Sequence, residues 1–281
     1  MSRTMLNLKN GLCFAALSLA MSSVFADAAT DATKDRLAQL AVGEHRSHDN
    51  IARNIYRHPV DTLAFFGLRD DMTVVEIAPG GGWYTEIIAP FVKDKGQYYA
   101  AGFDETSESE FVRKATARFK AKLAEHPELY DKVVMTPLAP PDNAEIAPPG
   151  SADIVLTFRN VHNWMDAGTV DGVFAAMFQA LKPGGILGVV EHRGNPDVAQ
   201  DPKAKSGYVN EAYAIALAQK AGFELVNKSE INANPNDSKD YEGGVWTLPP
   251  TLRLKEKDRE RYLGIGESDR MTLKFVKPLA Q

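Results

Sequence analysis

The sequence predicts an α/β fold built on a mostly parallel sheet with helices on both faces. Two observations carry that prediction. Short runs rich in β-branched and apolar residues alternate with helix-length segments from Thr73 to the C-terminal region, the pattern of parallel strands joined by crossover helices. The first run, Thr73-Val74-Val75-Glu76-Ile77, stops at Pro79-Gly80-Gly81-Gly82 and passes into the helical Trp83-Tyr84-Thr85-Glu86-Ile87-Ile88-Ala89, giving strand, glycine turn and helix in direct succession. With 281 residues, 44% hydrophobic and 25% charged, the chain can bury one sizeable core.

Taken in order, residues 1–26 read as a secretory signal peptide: Arg3 and Lys9 precede an apolar run from Gly11 to Val24, and small residues around Ala26 give a cleavage site before Asp27. The run is shorter than the roughly 20 apolar residues a spanning helix needs, so no stable membrane insertion is expected after cleavage; an uncleaved N-terminal anchor is the alternative. Both place the protein in the periplasm or outside the cell. Residues 27–66 form an N-terminal helical cap of two helices divided by Pro59, and residues 67–281 form the main domain. Further strands are predicted at Gln97–Ala101, Lys132–Thr136, Asp153–Phe158, Ile186–Glu191, Phe223–Val226 and Met271–Val276, with helices near 107–125, 167–181 and 207–221. The segment 137–150, with five prolines and two acids, reads as a long ordered loop on the ligand-binding edge of the sheet. The stretch 232–270 is polar and irregular.

Composition narrows function. The sole cysteine, Cys13, lies in the segment to be removed, which excludes disulfides, cysteine nucleophiles and cysteine metal sites from the mature protein. The net charge of −5, from 32 basic and 37 acidic residues, becomes −7 when Arg3 and Lys9 are lost, so nucleic acid is not an expected partner. No G-x-S-x-G nucleophile elbow occurs. An NAD site is disfavoured because the third glycine of its fingerprint would fall on Thr85.

An acid at a buried strand end followed by a glycine turn lets backbone approach a ligand closely, and the next helix offers free N–H groups to an anion. The segment Glu76-Ile77-Ala78-Pro79-Gly80-Gly81-Gly82 resembles motif I of class I S-adenosylmethionine-dependent methyltransferases, and Leu181-Lys182-Pro183-Gly184-Gly185 resembles that family's turn before strand five. The resemblance covers roughly residues 58–230 and is closest to a group of exported bacterial methyltransferases. It implies a Rossmann-like, seven-stranded, mostly parallel sheet of the class I methyltransferase type, with an antiparallel last strand. It also implies S-adenosylmethionine as cofactor, with Gly80, Gly81 and Gly82 against its methionyl and ribose parts and Glu76 supporting the loop. Ala78 stands where the family has its first glycine. The acid that usually ends strand two aligns with Gly102, and Asp104, two residues on, is either its substitute or a solvated loop acid.

The segment Thr157-Phe158-Arg159-Asn160-Val161-His162-Asn163-Trp164 resembles the stretch after strand four that borders cofactor and acceptor, which adds Arg159 and Asn160 to the cofactor candidates. His162 reads as a general base and Trp164 as a face for a sulfonium or cationic acceptor, against a capping histidine and a packed tryptophan. Glu191-His192-Arg193 ends strand five on the same edge, so His162, Glu191 and His192 are the catalytic candidates. These three could also make a two-His-one-carboxylate metal set, but no tight ligand spacing supports one and none is expected. His45, His48 and His58 with Arg46, Arg53 and Arg57 form a basic stretch that either covers the site and meets an acidic acceptor or is a solvated helix face. The functional expectation is methyl transfer to a small-molecule substrate. The alternative is a non-catalytic binding protein of the same fold for a nucleoside, polyamine or other small ligand.

Overall fold

The computed structural model describes residues 31–279; the expected signal segment 1–26 lies outside the described residues. Among the described residues no helix is long and apolar enough to cross a membrane.

The N-terminal region is helical, in four pieces: α1 (31–41), α2 (His48–Ala52), α3 (Asn54–Arg57) and α4 (Pro59–Phe66). The division at Pro59 follows from its missing N–H, which is lost at no cost in the first turn of α4. The region expected to be a single helix before it is broken twice more. The Ser47 hydroxyl accepts the Asn50 N–H at 3.2 Å and starts a new helix, and Arg53 closes α2 with its N–H on Asn50 O at 3.3 Å before α3 begins; His58, at φ 39°, then ends α3 in a left-handed cap at the Pro59 division.

Seven strands make one sheet: β1 (Thr73–Ile77), β2 (Gln97–Ala101), β3 (Val133–Thr136), β4 (Ala152–Phe158), β5 (Leu181–His192), β6 (Glu224–Ser229) and β7 (Arg270–Val276), in the order β3-β2-β1-β4-β5-β7-β6. Only β7 runs against its neighbours, pairing antiparallel with both β5 and β6. Between them lie α5 (Thr85–Val92), α6 (Glu110–Glu125), α7 (Pro127–Tyr130), α8 (Val161–Ala167), α9 (Val170–Ala180), α10 (Glu211–Lys220) and, in the stretch expected to be irregular, α11 (Arg259–Ile265). The helix expected near 167–181 is α9, and a further helix, α8, precedes it and is closed by Gly168 at φ 71°. Strand five begins earlier than expected. Leu181 already pairs with Ala152, and the Lys182–Gly185 turn is taken into the strand as a register shift before Ile186 meets Ile154.

Successive strand residues face opposite sides of the pleat, and both sides are covered. Val75, Ile77, Val155, Leu187 and Leu273 pack with Val173, Met177 and Leu217 of α9 and α10. Val74, Ile154, Leu156 and Val190 pack with Leu37, Leu63, Phe66 and Ile88 of α1, α4 and α5. Such two-sided burial is why the strands read as continuous apolar runs. The chain leaves β1 toward β2 on one side and toward β4 on the other, so a crevice opens at the carboxyl ends of β1 and β4.

Candidate functional site

At that crevice lies a cavity of about 420 Å³. The glycine turn after β1 forms one wall, the segment after β4 its floor, the cap and the start of β7 the far side, and Val245 to Thr251 a lip. The turn is held from beneath. The Glu76 carboxylate accepts hydrogen bonds from Thr85 Oγ1 at 3.0 Å and from the Tyr98 hydroxyl, and all three are buried. Burial pushes the Glu76 carboxyl up to about 7, with the Tyr98 and Thr85 hydrogen bonds acting against the rise. Glu76 therefore ties the strand end to α5 and does not line the cavity.

A side chain at Gly80 or Gly81 would meet nothing within 4 Å, so the backbone there borders open space. Gly82 is different: a Cβ would approach Phe119 and Lys122 at 3.2 Å, on the protein side of the loop. Ala78 takes φ 46°, a left-handed conformation that costs an alanine on the order of 1 kcal/mol. Its Cα stands 3.3 Å from where a Gly102 Cβ would be, and Gly102 itself has φ 119°. The glycine after β2 is thus fixed by close contact with the turn, which leaves no place there for an acidic side chain. Asp104 does not line the cavity; one carboxylate oxygen accepts the Thr106 N–H at 2.8 Å and hydroxyl at 2.7 Å. The proline-rich 137–150 loop contributes no residue to the cavity wall either.

After β4 the chain is strained where it turns into the site, with Arg159 at φ 63°. Asn160 uses its side-chain amide to bridge strand ends, donating to Ile77 O at 3.0 Å and Thr157 Oγ1 at 3.2 Å. Glu191 reaches across from β5 to the start of α8. One oxygen accepts the Val161 N–H at 2.6 Å and the His162 N–H at 3.4 Å, and the other accepts the His192 N–H at 2.7 Å and lies 3.0 Å from His162 Nδ1. The amide donors identify Glu191 as the acceptor, so His162 donates from Nδ1, and His162 itself lines the cavity. Ligand-type atoms of His162, Glu191 and His192 lie within 4.8 Å of one another. The carboxylate's acceptor positions are already engaged by four N–H groups, however, which suits holding a histidine better than holding a metal. His192 bonds Ser268 Oγ through Nδ1 at 2.5 Å. Burial, followed by the nearby Arg270 charge, holds the His192 imidazole well below its ordinary value and therefore neutral.

Trp164 is the packed tryptophan, buried in the core with its ring edge-on to Phe174 at 6.3 Å. The basic N-terminal stretch divides: His48 and His58 are exposed, whereas its arginines are turned inward. Arg46 is buried against Glu86 at 3.0 Å, Arg57 is buried against Glu267 at 3.2 Å, and both guanidiniums stack on Trp83, with centroids 4.7 and 4.6 Å away. Asn50, Arg53 and Arg57 line the cavity. Sequence reasoning missed the other half of the wall: Trp246, Pro249, Pro250, Ser268 and Arg270 come from the irregular segment and the start of β7, and no periodicity marked them.

No family model matches the chain, and no curated protein matches it by sequence. Solved structures match its fold. A SAM-dependent methyltransferase from Aquifex aeolicus aligns with a TM-score of 0.51 at 18% identity, over 64% of this chain and 87% of its own. The [4+2]-cyclase SpnF aligns with a TM-score of 0.53 at 17% identity, over 80% of this chain and 81% of its own. The fold is that of class I methyltransferases. At these identities the class I likeness fixes the architecture, and the chemistry has to be argued from the cavity.

Proposed function

We propose that the protein is an S-adenosylmethionine-dependent methyltransferase acting on a small molecule. The observation that carries this reading is the open backbone of Gly80 and Gly81 in the same cavity as the Glu191-held His162. The residues fit the methionyl end of the cofactor: two glycines border free space in the cavity. They leave its ribose end without an acid, given the Gly102–Ala78 contact and the engagement of Asp104 with Thr106.

When bound, the cofactor supplies an electrophilic methyl group on a sulfonium. The chain's part is alignment, through the glycine turn on one side and the β4, β5 and β7 ends on the other. If the acceptor atom carries a proton, His162 Nε2 takes it, and the Glu191 carboxylate at Nδ1 stabilises the imidazolium that results. Trp246 and Pro249 add apolar lining to the cavity.

The Arg3 and Lys9 charges before the apolar 11–24 run support export as the setting. One observation favours the second reading, a binding protein of this fold: the missing ribose acid at Gly102. The SpnF cyclase, on a similar fold, is a reminder that the architecture serves more than one chemistry.

Calorimetry with S-adenosylhomocysteine separates the readings. Gly81 has no left-handed φ and free space beside it, so Gly81→Val leaves the fold intact and fills the cradle. Saturable binding to the wild type that falls at least about tenfold in Gly81→Val is expected, a loss of about 1.4 kcal/mol or more. No binding to the wild type would leave the binding-protein reading.

A further inference from the structure

The cavity wall carries more positive charge than the fold neutralises. Arg53, Arg57, Arg159 and Arg270 surround a single carboxylate, Glu267: Arg53 at 2.5 Å, Arg57 at 3.2 Å, Arg159 at 3.9 Å and Arg270 in direct hydrogen-bond contact. Four guanidiniums against one acid leave a net charge of +3 within one cluster, in a chain that is negative overall. All four arginines line the cavity. Arg57 and Arg270 are buried, while Arg53 and Arg159 keep part of their side chains open.

The donors are also in excess. Arg53 Nη2, Arg57 Nη1 and Arg270 Nε are enclosed with no hydrogen-bond partner among the described residues. Three unpaired guanidinium nitrogens in one wall are costly, because a buried donor without an acceptor forfeits its hydration. The charges work against each other too. Burial and the neighbouring Arg159 push Arg57 down to about 8, and burial and Arg270 push Arg159 down to about 10. Glu267 is driven the other way: burial would raise its carboxyl, but Arg270, Arg57 and Arg53 hold it far below the usual range. One ionised carboxylate is thus shared among four cations.

We propose that this cluster binds the oxyanion group, phosphate or carboxylate, of an acidic small molecule that is the acceptor of the reaction. The name acceptor rests on the proposed methyl transfer; the anion site itself rests on the charges and the unpaired donors. Two features set the ligand's class. The positive excess of three favours a group of two negative charges, such as a phosphate monoester or a dicarboxylate, and repels a polyamine. Phe158, Trp246 and Pro249 line the same cavity with apolar side chains and fit a carbon body behind that head. Topology separates this site from the glycine cradle. Arg159 follows β4 and Arg270 opens β7, two strands further along the sheet edge, whereas Gly80 and Gly81 follow β1. His192 and Ser268 lie on the β5–β7 side with the arginines, within the same wall.

The test is calorimetric titration of the full chain with inorganic phosphate and, separately, with succinate, at fixed ionic strength, with and without saturating S-adenosylhomocysteine. Saturable binding of at least one anion is expected, and the stronger of the two identifies the head group. Arg53→Gln, which removes a partly open donor with an unpaired Nη2, is expected to weaken it about tenfold, as for loss of a charge-assisted hydrogen bond. Glu267→Gln, which takes away the competing carboxylate, is expected to tighten it several-fold; a merely structural cluster would show no gain. Should Arg53→Gln fail to fold, the gain in Glu267→Gln decides alone. Retention of anion binding with S-adenosylhomocysteine present supports an acceptor site. Mutual exclusion would assign the arginines to the cofactor's own carboxylate and overturn the proposal, as would absence of saturable binding for both anions. If the anion binds and S-adenosylhomocysteine does not, the methyl-transfer reading fails while the anion site stands.

Discussion

Replacing the Glu76 carboxylate with an amide tests whether the acid beneath the glycine turn is held at an energetic cost. Glu76 is fully enclosed, and its carboxyl is pushed from 4.5 to about 7 by burial. At roughly 1.4 kcal/mol per pH unit, its ionisation in the fold costs about 3 kcal/mol. The sign follows from proton counting. Between pH 4.5 and about 7 the folded chain keeps a proton that the unfolded chain has released, so this group's stabilisation is complete below about 4.5 and is lost as pH rises through about 7. Glu76→Gln cannot ionise, and its amide oxygen can accept from both Thr85 and Tyr98. Thermal unfolding should therefore give matching midpoints for wild type and variant near pH 4.5. At pH 8.5 the variant should melt higher, by about 6–10 °C for about 3 kcal/mol in a domain of this size. A difference between the two proteins that does not change with pH would refute the reasoning, and so would a variant that is less stable at pH 8.5.

Two predictions concern the opposite wall. Glu191→Gln exchanges a carboxylate that engages four N–H groups for an amide with one acceptor oxygen, and denaturant unfolding should show a loss of about 1–3 kcal/mol. His162→Ala should lower turnover by roughly a hundredfold to ten-thousandfold on an acceptor that loses a proton, with S-adenosylhomocysteine affinity within about twofold of wild type; a larger change in affinity would show that His162 touches the cofactor.

Strand, glycine turn and helix from Thr73 to Ala89 were legible because the β-branched run and the glycines state the same thing locally. Gln97–Ala101 was legible for the same reason and is β2 without adjustment. The start of β5 was not. Lys182-Pro183-Gly184-Gly185 has turn chemistry, and only pairing of Leu181 with Ala152 draws it into the sheet. The two-sided reading of Arg53 and Arg57 resolves toward the cavity because their partner, Glu267, lies 214 and 210 residues away, a distance no local pattern spans. Ala78 and Gly102 looked like two separate departures from a motif. In the fold they are one, because a Cβ on residue 102 would stand 3.3 Å from the Ala78 Cα. The lip around Trp246 comes from a segment whose prolines and polar residues carry no period, so its place over the site could be seen only in three dimensions.

The central claim is that the glycine turn presents a methyl donor to the His162 edge. Its most direct measurement is conversion of S-adenosylmethionine to S-adenosylhomocysteine by the purified protein, read by mass spectrometry across a panel of phosphate- and carboxylate-bearing small molecules. Wild type should consume the donor in the presence of at least one such acceptor and transfer its methyl group stoichiometrically, and Gly81→Val should not. Donor that binds wild type and Gly81→Val equally, or binds tightly and is never consumed with any acceptor in the panel, would contradict the account.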